Sequence, residues 1–125
     1  MVGKALRGIL PQATYLSSQD ADLRNPAEAL KVFEEVRPSQ VIHLAASVGG
    51  VKANQDHNVE FFINNLRIDA NVLRAAVTHK TQRLLAVLSG CAYAFFEDHP
   101  TSEKNLHEGL PFAGNLGYGY AKRVL

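Results

Sequence analysis

Apolar residues recur along this chain at spacings that predict strands and helices in alternation. Val41–Ala46 and Leu84–Leu88 are short continuous apolar runs, typical of strands buried on both faces of a parallel sheet. Between them, apolar residues at helical spacing predict a long amphipathic helix that Asn58 caps and that ends near His79. The residues expected on its apolar side are Phe62, Ile63, Leu66, Ala70, Leu73, Ala76 and Val77.

The beginning of the chain predicts shorter elements. Gly3–Leu10 has the pattern of a helix that Pro11 ends, and Ala13–Ser17 is expected to form a short strand. Asn25-Pro26 supplies a capping side chain and a first-turn proline, which together predict a helix that continues to about Val36.

Two stretches are expected to connect these elements. Residues 47–57 contain Gly49-Gly50, which is either a simple turn or a substrate contact, and they are expected to form a loop. Residues 91–116 are rich in glycine, proline and charge and predict a long connection. A helix restarts at Tyr118.

This alternation of strands and helices predicts an α/β fold with a doubly wound parallel sheet. Sheets of this type bind ligands at the carboxyl ends of their strands. Ser17, Ala46 and Ser89 fall at the carboxyl ends of the predicted strands, so we expect them at the ligand-binding edge.

Composition narrows the class of protein. The 125 residues are 46% hydrophobic and 20% charged, as in one globular domain over residues 1–125. A formal net charge of +1 gives no basic field for nucleic acid, and no apolar run predicts a membrane span. The single cysteine cannot form an internal disulfide, which favours a cytoplasmic location. The spacing of the histidines predicts no metal site.

Ser89, Tyr118 and Lys122 form a candidate catalytic group. Tyr118 and Lys122 are four residues apart and share a helical face, so the lysine ammonium is expected to lower the pKa of the phenol. Tyr118 would then exchange protons near neutral pH, while Ser89 holds the reacting oxygen. By themselves, Tyr118 and Lys122 favour a surface pair at the start of a helix. With Ser89 and the strand that ends in Ala45-Ala46 in the same order, the pattern favours the catalytic group instead.

Several motifs follow one another in an order that is typical of one enzyme family. They are Met1–Gly3, His43–Gly50, Ala53-Asn54, Phe62–Asn65, Ser89–Cys91, Pro100–Glu103 and Tyr118–Lys122. With these motifs the chain resembles the extended short-chain dehydrogenases/reductases that act on nucleotide sugars, and among them the GDP-L-fucose synthase family. The resemblance implies an incomplete NAD(P)-binding Rossmann-like domain that ends in the Tyr-x-x-x-Lys helix. It places the first strand and the carboxyl-terminal substrate domain outside this chain, so that Met1 is expected to be an internal residue of a parent enzyme.

The resemblance also implies an activity. The family carries out NADPH-dependent 3,5-epimerisation and 4-reduction of GDP-4-keto-6-deoxy-D-mannose to GDP-L-fucose. Cys91 is then an epimerisation acid/base, which requires a lowered thiol pKa, and its partner histidine is expected beyond Leu125. Tyr118 protonates the 4-oxygen, Lys122 tunes Tyr118 and holds the nicotinamide ribose, and Ser89 orients the carbonyl.

Further residues are assigned to the cofactor and the substrate by the same resemblance. The cofactor-binding residues are Gly3, Asp22, Leu23, Ala45, Ala46, Tyr118 and Lys122, and the substrate-binding residues are Asn54, Asn65 and Ser89. Ser17-Ser18 ends the predicted second strand without a carboxylate, which favours NADP(H) over NAD. The parent enzyme is expected to be a homodimer through the long helix and the helix at Tyr118.

Some features depart from the family pattern or admit other readings. The family's Cys-x-x-Pro is Cys91-Ala92-Tyr93-Ala94 here, and the first glycines of the phosphate-binding turn are absent. Cys91 is also compatible with a small buried side chain, and Asp22 with an ordinary loop residue. The alternatives for function are another nucleotide-sugar epimerase or dehydratase of the same superfamily, or a non-catalytic fragment. The isolated chain is expected to be poorly stable because strand edges are exposed.

Overall fold

The computed structural model describes residues 2–94 and 101–125. The chain divides into two compact units: the first unit joins residues up to Ala45 with Asn71–Val87, and the second joins Ala46–Ala70 with Leu88–Leu125. Pro100, the first residue of the Pro100–Glu103 motif, lies outside the described residues. Among the described residues, no helix has the length and apolar character needed to cross a membrane.

The helices and strands follow one another as the α/β prediction requires. The helices are α1 (Val2–Ile9), α2 (Pro26–Val36), α3 (Val51–Asp56), α4 (Asn58–Thr78) and α5 (Leu116–Val124), and the strands are β1 (Gln40–His43) and β2 (Arg83–Ala86). β1 and β2 pair in parallel, with Gln40 opposite Arg83 and His43 opposite Ala86. Parallel pairing across a helical crossover confirms the predicted class of fold.

Local signals in the sequence set both ends of α2. The Asn25 side chain accepts a hydrogen bond from the Ala27 N–H at 3.0 Å, and proline occupies the first turn. At the other end, Arg37 adopts a left-handed conformation with φ of 46° and donates its N–H to the Phe33 carbonyl. The predicted limits of this helix are therefore confirmed.

The core of the first unit lies between α2 and the second half of α4. Phe33, Val72, Ala75 and Ala76 are buried together, and Leu23, Leu30, Val32, Val41 and Leu84 pack against them. Side chains alternate across the sheet, so Ile42 and Leu85 point to the opposite face, where they are 40% and 60% exposed. The prediction that both strands are buried on both faces is therefore wrong.

Residues 13–17 do not form the predicted strand. The Tyr15 hydroxyl donates to the Leu10 carbonyl at 3.0 Å, and Ser17 donates from both its N–H and its hydroxyl to the Asp20 carboxylate at 2.7 Å. A strand requires a neighbouring strand for its ladder of hydrogen bonds. Local hydrogen bonds within turns pair the backbone of this segment instead, so Ser17 does not end a strand. The segment was expected to have no carboxylate, but the carboxylate of Asp20 contacts it at Ser17.

The buried side of α4 differs from the one that its apolar pattern predicts. The helix buries Asn64, Asn65, Ile68, Asp69, Val72, Ala75 and Ala76, whereas Ile63, Leu73 and Val77 are exposed by 40%, 40% and 80%. Only Ala76 of the predicted set is fully buried. Periodicity identified the helix but not its orientation, because several of the buried positions carry polar side chains with specific partners.

The expected connections also contain regular structure. α3 lies inside residues 47–57, with Gly50 at its N-terminal cap. Within residues 91–116, short 3₁₀ turns at Glu103–His107 and Ala113–Asn115 accompany a β-bridge between Ala94 and Pro111.

Candidate active site

Ser89 and Cys91 are placed by a tight turn directly after β2. The Ser89 hydroxyl accepts a hydrogen bond from the Cys91 N–H at 3.2 Å and caps the 3₁₀ turn Gly90–Ala92. This bond holds Ser89 and Cys91 together in one short turn. Cys91 is a free, partly exposed cysteine.

Two glycines bring α5 against this turn. A Cβ at Gly117 would overlap the Asn58 carbonyl, and a Cβ at Gly119 would lie 2.5 Å from the Cys91 carbonyl oxygen. The Gly117 N–H also donates to the Asn58 side-chain oxygen, so Asn58 bonds to α5 instead of capping α4 as predicted. Only glycine permits backbones to approach this closely. Tyr118, between the two glycines, is thereby placed beside Ser89 and Cys91.

Tyr118 is surrounded by groups that favour its neutral form. Partial burial raises the pKa of its phenol above the usual value, and this is the largest effect. A hydrogen bond with the Ser89 side chain acts in the opposite direction, while negative charge on Cys91 and Asp69 raises the pKa further. The prediction of a lowered pKa is therefore wrong for this structure, because burial and nearby acids outweigh any effect of the lysine.

The Lys122 side chain is engaged by a carboxylate that none of the sequence motifs contains. Its ammonium lies 3.1 Å and 3.3 Å from the two oxygens of Asp69 on α4. Lys122 is 2% exposed and Asp69 3% exposed, so the pair is buried. An acidic residue between the apolar positions of a long helix is the sequence signal that could have indicated it, since charged residues are rarely buried without a partner.

The predicted substrate asparagines both organise the backbone of the second unit. The Asn65 side chain is fully buried: its oxygen accepts from the Ser47 N–H at 2.9 Å, and its amide donates to the Ser47 and Phe61 carbonyls. This arrangement argues against a substrate contact at Asn65. Asn54 donates to the carbonyls of Gly49 and Gly50, and its buried side-chain oxygen has no protein partner in the described part of the chain.

The remaining cofactor candidates are half-buried, and most of them lie in the first unit. Asp22 pairs with the Arg24 guanidinium at 2.8 Å, and this contact holds the pKa of its carboxyl below the usual value. Leu23 packs against the core, and a Cβ at Gly3 would meet Leu44 at an ordinary 3.9 Å. Gly3 therefore makes no close approach that requires glycine. Ala45 and Ala46 follow β1 at the point where the first unit passes into the second.

Comparison with known proteins agrees with this arrangement. The sequence model of the NAD dependent epimerase/dehydratase family matches residues 6–125. The chain belongs to this family. A probable GDP-L-fucose synthase from Drosophila melanogaster is 37% identical over all of this chain, and a GDP-L-fucose synthase from Dictyostelium discoideum is 37% identical over 89% of it. The resemblance stated from the motifs is thereby confirmed.

Solved structures of family members show the same fold. A GDP-L-fucose synthetase from Naegleria fowleri bound to NADP superimposes with a TM-score of 0.87 and 34% identity, and it covers 98% of this chain. The matched part is 38% of that protein, and the chain spans 41% and 35% of the Drosophila and Dictyostelium relatives. The family's Rossmann-like fold is therefore present here in part.

Proposed function

We propose that this chain is the catalytic-motif segment of an NADPH-dependent enzyme that converts GDP-4-keto-6-deoxy-D-mannose to GDP-L-fucose. The observation that carries the proposal is the grouping of Tyr118, Ser89 and Cys91 in one unit, with the Lys122 ammonium buried on the same helix as Tyr118. The names of the Drosophila and Dictyostelium relatives support the choice of substrate. The proposal concerns the complete enzyme, because the chain matches only part of each relative.

The donors present fit the nicotinamide end of a dinucleotide. A phenol, a hydroxyl and an ammonium in one unit can bind ribose and carbonyl oxygens, so Tyr118, Lys122 and Ser89 would hold this end. The family resemblance supports Ala45 and Ala46 as further cofactor contacts. When bound, NADPH supplies the hydride that reduces the C4 ketone. The Naegleria synthetase, which is similar to this chain, was solved with NADP bound, and this supports the choice of cofactor.

The chain's own residues would supply proton transfer in two stages. Cys91 would be one of two acid/base groups that epimerise the carbons beside the ketone, where the carbonyl makes the C–H bonds acidic. It would exchange protons on one face of the sugar, and a second acid/base group would act on the opposite face. Tyr118 would then donate its phenolic proton to the 4-oxygen as that oxygen becomes an alkoxide. The raised pKa of Tyr118 keeps this proton in place at neutral pH. Ser89 would donate a hydrogen bond to the same oxygen and hold it in line.

The location and assembly of the enzyme belong to the same proposal. We infer a cytoplasmic location, since nucleotide sugars and NADPH are its reactants. The parent is proposed to be a homodimer whose contact includes the exposed apolar residues of α4. Ile63, Leu73 and Val77 are the exposed positions that support it.

The test uses the full-length protein with GDP-4-keto-6-deoxy-D-mannose. NADPH oxidation is followed in ordinary water, and deuterium incorporation at carbons 3 and 5 is followed in heavy water. Tyr118→Phe is expected to lower reduction at least about 100-fold while exchange continues. Cys91→Ser is expected to abolish exchange and, with it, formation of GDP-L-fucose.

Tyr120→Phe, on the same helix, is the matched control and should leave both rates unchanged. Full exchange and turnover in Cys91→Ser, with loss of both in Tyr118→Phe, would overturn the epimerase/reductase. A wild-type protein that retains NAD(P) tightly but does not oxidise NADPH with this substrate would favour a sugar epimerase or dehydratase that recycles its cofactor. A wild-type protein that binds no dinucleotide would favour a non-catalytic role.

A further inference from the structure

A buried carboxylate lies against the lysine of the candidate active site. Asp69 belongs to α4 and Lys122 to α5, and both oxygens of the carboxylate face the ammonium, at 3.1 Å and 3.3 Å. Exposures of 3% and 2% leave the pair almost no contact with water. Bringing two charges out of water is costly, so a buried pair of this kind calls for an explanation beyond stability.

The negative charge of the Asp69 carboxylate also acts on the Tyr118 phenol. The charged or titratable groups that act on the phenol are Asp69 from α4 and Cys91 from the 3₁₀ turn after β2, and the Ser89 hydroxyl is the neutral partner. Lys122 lies on the phenol's own helix and pairs with Asp69. Negative charge at Asp69 favours the protonated phenol. Asp69 therefore acts on both members of the Tyr118–Lys122 pair, although it belongs to neither motif.

We propose that Asp69 is a positioning residue of this site: its carboxylate holds the Lys122 ammonium in place and offsets part of that ammonium's charge at Tyr118. The inference rests on the proposed function. It assigns Asp69 no contact with substrate or cofactor, since its action passes through the lysine. Tyr118 consequently keeps its proton over the pH range in which it must donate it.

The direction of the expected pH effect follows from the charges. Replacing Asp69 by asparagine removes a negative charge that raises the pKa of Tyr118, and it leaves the ammonium of Lys122 without that offset. Both changes favour phenolate and lower the pKa of Tyr118. Reduction needs the protonated phenol, so the pH above which its rate falls should move to lower values.

The test measures the pH profile of NADPH-dependent reduction in the full-length protein. Asp69→Asn is expected to move the alkaline limb of kcat down by about one pH unit or more. Asp69→Glu keeps the negative charge but moves the Lys122 ammonium. The alkaline limb should therefore stay at the wild-type pH, while kcat falls about tenfold. KM for the GDP-sugar should change little in either variant.

Asp56→Asn is the matched control, because Asp56 forms an exposed pair with Lys52 at 2.9 Å. It should leave the profile and kcat unchanged. An unmoved alkaline limb in folded Asp69→Asn would overturn the proposal. If that variant does not fold, Asp69→Glu decides: a wild-type kcat together with a wild-type limb would overturn it.

A second readout separates this inference from the proposed function. The tyrosinate absorbance of Tyr118 is obtained by subtracting the alkaline titration of Tyr118→Phe from that of the wild type, and it needs no substrate. Asp69→Asn is expected to move this titration to lower pH. If the titration shifts but the wild type does not turn over the GDP-sugar, the proposed function is refuted and the positioning role stands. If the wild type turns over the GDP-sugar but the titration does not shift, the positioning role is refuted and the proposed function stands.

Discussion

At the scale of single residues, the contact between Gly117 and Asn58 determines how closely α5 approaches α4. The Gly117 N–H donates to the Asn58 side chain, and the missing Cβ leaves room for the Asn58 carbonyl. Glycine inside a helix usually costs about 1 kcal/mol relative to alanine. Glycine is nevertheless required at position 117, because the Cβ of any other residue would overlap Asn58 and prevent α5 from approaching α4 this closely.

We therefore predict that Gly117→Ala destabilises the protein by about 1–3 kcal/mol, because the new methyl group would overlap backbone that cannot move alone. Urea unfolding monitored by circular dichroism measures the change. Gly8→Ala is the control and should be neutral or slightly stabilising, since a Cβ at Gly8 in α1 meets no atom of the described residues within 4 Å. Equal effects in the two variants would contradict the close-approach argument.

At the scale of elements, Arg123 on α5 forms hydrogen bonds to the backbone of the connection that follows β2. Its guanidinium donates to the Ala92 carbonyl at 2.9 Å and 2.6 Å, and to the Gly109 carbonyl at 2.8 Å. These are charge-assisted bonds to two backbone carbonyls, one in the 3₁₀ turn that follows β2 and one between the two later 3₁₀ turns. One side chain thus ties the backbone at Ala92 to the backbone at Gly109.

Arg123→Ala is expected to speed hydrogen exchange at residues 90–94 and 108–111, because their carbonyls lose their charged donor. The loss should amount to roughly 1–3 kcal/mol of local stability. Mass spectrometry of peptides from these segments measures it, with Arg74→Ala, an exposed arginine on α4, as control. Unchanged exchange at Ala92 in Arg123→Ala would show that the bonds do not hold the connection.

At the scale of the whole molecule, much apolar surface remains in contact with water. Leu85 is 60% exposed and Val77 is 80% exposed, while the paired strands β1 and β2 carry the sheet of the first unit. Sheets this small are marginally stable unless packing against other elements adds to them. The chain by itself is therefore expected to self-associate.

Leu84 and Leu85 offer a direct comparison, because neighbouring strand residues face opposite sides. Leu85→Thr should reduce self-association in analytical ultracentrifugation and change stability by less than about 0.5 kcal/mol. Leu84→Thr, which faces the core, should destabilise by about 1–3 kcal/mol. If Leu85→Thr self-associates as strongly as the wild type, a different surface mediates the association.

The sequence alone determined the features that depend on neighbours along the chain. Asn25 and Pro26 start α2, the apolar runs locate β1 and β2, and the order of the Ser89 and Tyr118 motifs identifies the family. Capping, strand propensity and motif spacing are local properties, so they can be inferred from a printed sequence.

Only the tertiary structure decided which groups meet. It buried Asn64, Asn65 and Asp69 of α4, left residues 13–17 without strand pairing, and put Asp69 against Lys122. The pKa of Tyr118 rises for the same reason, since burial and Asp69 act through space. Hydrogen-bond partners, burial and charge at a site are set by residues distant in sequence, and their pairing is fixed when the chain packs.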